Sequence, residues 1–125
     1  MVGTKIHSAR DVYTLLKPSP SNMEIGYVVY LDSFYEIASV DTVQGDEDQV
    51  LFDLQAIVSR CFALKVSKVV LAHTHPYGEM ARFSDRDLAA DSLSKKHLRT
   101  YGILLMDSVV MDWYSYDSVR NRARS

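Results

Sequence analysis

The spacing of apolar positions changes several times along the 125-residue chain, and each change predicts a different element. Val12, Leu15 and Leu16 keep helical spacing behind Ser8-Ala9-Arg10-Asp11, which has the spacing of a capping box, so a short first helix is expected. It ends at Lys17-Pro18-Ser19-Pro20, where two prolines and small polar residues predict a loop. Residues 24–32 switch to a strand pattern rich in β-branched and aromatic side chains. Glu24, Gly26, Val28, Tyr30 and Asp32 share one face, and Ile25, Tyr27, Val29 and Leu31 the other. Apolar residues on both faces predict a buried strand. A turn at Ser33-Phe34 then leads into an antiparallel partner over residues 35–43, with a more polar exposed face.

Asp46, Glu47 and Asp48 follow Gly45, and three acids suit the positive end of a helix dipole better than a metal cluster. A helix is therefore predicted from this point to about Leu64, with Val50, Leu51, Leu54, Ile57, Val58, Cys61 and Phe62 on its core face. Val69, Val70 and Leu71 begin a strand that runs into His73-Thr74-His75, where Pro76 stops the ladder and Gly78 permits a sharp turn. Ser84 opens another helix carrying Leu88, Leu93 and Leu98 and ending near Thr100, before Gly102. Residues 103–106, 109–111 and 113–116 read as three short strands, with Trp113, Tyr114 and Tyr116 as sheet packing. From about residue 117 the chain carries three arginines and is expected to be a frayed basic tail. The fold class is α/β, a mixed and partly antiparallel sheet flanked by helices in a single domain over 1–125.

Composition narrows the function classes. Hydrophobic residues at 47%, charged residues at 24% and a formal net charge of −2 fit an ordinary soluble globular protein, so nucleic acid as a partner gains no support from charge. A single cysteine, Cys61, excludes an intramolecular disulfide and reads as a buried thiol in a reducing compartment. No apolar run approaches the roughly 20 residues of a membrane span and no leader is evident, so a cytoplasmic protein without a membrane partner is expected. Nothing in the sequence sets the oligomeric state.

The chemistry concentrates in residues 67–87. His73 and His75, two apart at a strand end, project to the same side and can offer two imidazoles to one ion. Asp87, on the first turn of the next helix, can add an oxygen. Two nitrogens and one oxygen leave a fourth tetrahedral position open, the arrangement of a catalytic Zn²⁺ rather than a structural one. Ser84-x-x-Asp87 is equally a capping box, so at Asp87 the ligand and cap readings both stand.

These blocks resemble the JAMM (MPN-type) metalloprotease signature, and their surroundings are similar to its RadC branch. Glu24 precedes I-G-Y-V-V-Y-L-D, Gly45 precedes D-E-D, A-H-T-H-P-Y-G leads to S-x-x-D, and Gly102-Ile103 precede Asp107, a series covering residues 8–116. The resemblance implies a JAMM/MPN fold of cytidine-deaminase-like architecture, with Zn²⁺ held by His73, His75 and Asp87. It further implies Glu24 as general base, Ser84 as oxyanion donor, and an amide or isopeptide bond of a protein or peptide as substrate. The alternative it carries is a non-enzymatic interaction module, or a DNA-associated accessory, on the same fold. The chain departs from the family in four places. Eight residues, not seven, separate His75 from Ser84, with Asp85 as the reserve ligand should Asp87 be displaced. Asp53-Leu54-Gln55-Ala56 stands where the branch has His-Pro-Arg-Glu, and Ser108 where it often has His. The helix-hairpin-helix-type region that usually precedes the domain is not expected here, so its DNA contact is not carried over.

Overall fold

The strand β1 (Ile25–Leu31) lies inside the sheet, as its two apolar faces require, and the other elements are arranged about it. The computed structural model describes residues 2–17, 24–45, 51–75 and 82–123. Antiparallel partners flank β1 on either side: β2 (Ile37–Gln44) and β3 (Lys68–Thr74). β4 (Leu104–Met111) pairs parallel to β3, and β5 (Tyr116–Ser118) closes the other edge, giving the order β2-β1-β3-β4-β5. The sheet is thus mixed and flanked by helices, as the alternation of patterns predicts.

Because side chains alternate across a strand, the sheet builds two cores. Val29, Leu31, Val70, Ala72, Val109 and Met111 pack under α1 (Ala9–Leu16), which contributes Ala9, Val12 and Leu16. Val28, Tyr30, Val69, Leu71 and Leu105 pack on the other face against Ile57, Val58 and Cys61 of α2 (Leu54–Leu64) and Leu98 of α3 (Asp85–Thr100). Arg60 reaches from α2 to Asp41 and Ser39 on β2, at 3.1 and 2.7 Å. Among the described residues no helix is long and apolar enough to cross a membrane.

The first helix forms as predicted, with Ser8 Oγ accepting from Asp11 N. The Asp11 carboxylate accepts from His7 N, at 2.8 Å, one residue before the cap. Cys61 is fully buried. α2, however, begins later than the acidic cluster predicts. Residues 51–53 are not helical, the cap is Asp53 accepting from Ala56 N at 3.0 Å, and residues 46–50 lie outside the described ones. In this frame Leu51 falls before the helix, 73% exposed, and Phe62, about 100° round the axis from Cys61, is 63% exposed at the edge of the stripe.

The C-terminal third also departs from its predicted form. β4 is one continuous strand where two were expected, because the apparent polar break at Asp107-Ser108 is buried and internally bonded. Asp107 Oδ1 accepts from Ser108 N at 2.9 Å and Arg120 N at 3.0 Å. The register against β3 steps from Leu105 to Asp107, so Met106 is the extra residue of a bulge. Trp113 and Tyr114 sit exposed in the β4–β5 turn rather than packing in the sheet, with Asp112 accepting from the backbone of Tyr114 and Ser115. Tyr116 does pack, stacked on Tyr13 with ring centroids 5.0 Å apart. Leu93 is exposed on the outer side of α3. Residues 117 and 118 belong to β5, and Val119–Ala123 form a short helix, α4, in place of a frayed tail. Ser118 Oγ accepts from Asn121 N and Asp107 from Arg120 N, so the helix start is tied to the sheet.

Candidate metal centre

β3 delivers the first two side chains. His73 lies opposite Gly26 of β1, which adds no side chain on that face, and opposite Val110 of β4. One residue past the strand, His75 N donates to Met111 O at 2.9 Å, which carries the extended run on to this position. The period of two is kept, and the imidazoles stand side by side with centroids 5.3 Å apart. Between them Thr74 points the other way, buried, its Oγ1 accepting from Ile25 N at 2.9 Å.

α3 delivers the third. Ser84 Oγ accepts from Asp87 N, and Asp87 Oδ2 accepts from Ser84 N, both at 3.0 Å, a complete capping box. The same carboxylate faces the histidines, with Oδ1 3.7 Å from His73 Nε2 and Oδ2 3.7 Å from His75 Nε2. Cap and ligand are therefore compatible roles, since a carboxylate offers about four acceptor sites and the cap uses one. The ligand atoms of His73, His75 and Asp87 all lie within 4.8 Å of one another. Ligands about 2.0–2.1 Å from a tetrahedral Zn²⁺ stand roughly 3.4 Å apart, so the two Asp87–histidine separations of 3.7 Å need to close by only a few tenths of an ångström.

The donor set fits an ion on a second count. His73 Nε2 is buried and has no hydrogen-bond partner, and a buried polar atom left unsatisfied costs about 1–3 kcal/mol. A cation between the imidazoles and Asp87 would satisfy it. Burial by itself would raise the Asp87 carboxyl, but the two histidines and the Ser84 N–H outweigh it and hold the group well below the usual carboxylate range. Asp87 is thus an anion at any ordinary pH, ready to ligate.

Glu24, 6% exposed, joins the same site. The register that sets Gly26 against His73, with Ile25 N bonded to Thr74 Oγ1, brings Glu24 across from His75 at the mouth of the sheet. A cleft of about 370 Å³ is lined by Glu24, His73, His75, Ser84 and Asp87, with Leu71 and Phe83 as apolar walls. Phe83 presents its ring edgewise to His73, centroids 6.1 Å apart. A second cavity, about 220 Å³ on the opposite face between α1 and Arg120, holds none of these groups.

All five residues expected from the sequence therefore meet in one cleft. Asp85 is exposed and outside the triad, so the eighth residue between His75 and Ser84 has not displaced Asp87. Pro76 and Gly78 lie outside the described residues. The sequence reading missed Asp91, which is buried in the cleft and accepts a hydrogen bond from Ser108. Its signal was the four-residue step from Asp87, which puts two acids on one helix face.

A mixed five-stranded sheet flanked by helices, with a His-x-His strand end facing a capped helix start, defines a JAB/MPN-type α/β domain. A family model, the RadC-like JAB domain, matches residues 6–124, and the chain belongs to that family. The chain matches no curated protein.

Proposed function

We propose that this protein is a zinc-dependent hydrolase of the JAMM type, acting on an amide or isopeptide bond of a protein or peptide. The observation that carries the reading is the buried Nε2 of His73, which makes no hydrogen bond and converges with His75 and Asp87 in a cleft that also contains a carboxylate and a hydroxyl.

His73, His75 and Asp87 would hold the ion, which supplies a Lewis acid at that point of the cleft. Glu24, buried opposite His75, takes a proton from the attacking water and returns it to the leaving amine, so that one water is added across the C–N bond. Ser84 keeps its hydroxyl proton while Oγ accepts from Asp87 N, and it can donate that proton toward the oxyanion that develops on the carbonyl. Leu71 and Phe83 exclude water from the inner wall.

Elemental analysis of protein purified without chelator tests the reading. About one zinc per chain is expected at neutral pH, removable by a chelator. Folded protein carrying no metal above background, and taking up none on addition of zinc, would sink it.

A further inference from the structure

On α3, Asp87, Ala90, Asp91 and Ser94 occupy the i, i+3, i+4 and i+7 positions that usually form the apolar stripe of a packed helix. Here they line the cleft instead, and two of them are small. Asp91 is only 7% exposed, and burying a carboxylate is costly unless it is well paired. Its Oδ1 accepts from Ser108 Oγ, a buried hydroxyl on β4. Its Oδ2 has Lys95 Nζ at 3.7 Å, beyond hydrogen-bond distance, from a side chain that is 38% exposed. One oxygen is thus fixed by Ser108, and the other keeps acceptor capacity beside a weakly held cation.

We propose that Asp91, held by Ser108, is a cation subsite of the cleft that receives the ammonium or guanidinium of a basic substrate side chain. It lies one helical turn, about 5–6 Å, beyond Asp87, so the basic group would belong to a residue beside the scissile carbonyl. An incoming cation displaces Lys95, which is over a third exposed and able to withdraw. That the ligand is a substrate rests on the hydrolase reading. That the cleft selects a basic side chain does not.

The test is an NMR titration of the protein, with and without zinc, using Nα-acetyl-lysine N-methylamide and its uncharged norleucine counterpart. The lysine probe is expected to move the amide signals of Asp91, Ser94 and Ser108 and to bind at least about tenfold more tightly than norleucine. Asp91→Asn keeps the acceptor for Ser108 but removes the charge, and should abolish that preference. Lys95→Met removes the competing cation and should tighten lysine binding several-fold, an effect that a purely structural Asp91 would not produce. Equal binding of the two probes, or a preference unmoved by both substitutions, overturns the subsite. Should Asp91→Asn fail to fold, Lys95→Met decides alone. A protein that selects lysine but takes up no zinc keeps the subsite and loses the hydrolase, and zinc uptake without lysine selection does the reverse.

Discussion

Asp87 shows how one side chain can serve helix and site together. Its carboxylate closes the capping box with Ser84 and faces two imidazoles, so a substitution that keeps an acceptor and removes the charge separates the roles. Asp87→Asn is expected to lower zinc affinity by at least the roughly 10–100-fold that losing an outer-shell partner costs, since this is a direct ligand. Cap loss would cost about 1 kcal/mol, so the metal-free melting temperature should stay close to the parent value if Asn still accepts from Ser84 N. Isothermal titration with zinc and a thermal melt read the two effects. Glu24→Gln should retain zinc and reduce hydrolysis of a confirmed substrate by about 100- to 10,000-fold, as loss of a general base does. Unchanged turnover would remove Glu24 from the mechanism, and loss of zinc would make it a ligand. The two histidines were legible because the period of a strand alone puts them on one side. Glu24 was legible only through the family resemblance, since a lone glutamate at a strand end is ordinarily solvated. Asp91 was not legible, because its burial depends on how α3 lies against β4, and its partner Ser108 is 17 residues away.

Elements were easiest to place where a local chemical signal and the apolar period coincide. Ser8 and Ser84 each precede a helix and each was found from sequence. Before α2 the two signals separate: the acids at 46–48 suit a helix start, yet the helix waits for Asp53. Asp53→Ala should therefore lower stability by about 1 kcal/mol, within the usual 0.5–2 range, visible as a melting point a few degrees lower. An unchanged melt would show that the cap contributes nothing. β4 failed in the opposite sense. Asp107 and Ser108 look like a break because polar pairs usually mark turns, but a bulge at Met106 and partners on β3, α3 and α4 satisfy them inside the sheet.

The α/β class with helices on both faces followed from runs such as 25–31 and 69–72, apolar on both sides and therefore needing cover on both. The chain's last turn did not follow, because beyond the local Ser118 cap on Asn121 N the hold on α4 comes from a residue distant in sequence. It is held by Asp107, whose backbone donors come from β4 and from Arg120. Its burial gives Asp107 a pH response opposite in sign to that of Asp87. Burial pushes the Asp107 carboxyl above its ordinary value, only partly countered by the N–H groups of Arg120 and Ser108. An acid whose folded pKa is raised favours the folded state most where it is protonated in both states. Its contribution is full below the ordinary aspartate value near pH 4 and declines as pH rises through the folded value. Asp107→Asn keeps an acceptor and cannot ionise, so subtracting its denaturation free energy from that of the parent across pH isolates this one group. The difference should move against the parent as pH rises from about 4, and a flat difference would place Asp107 outside the pH response. The burial that secures the C-terminal helix against the sheet thus carries a cost that grows as pH rises from about 4, on the face of the sheet opposite the metal centre.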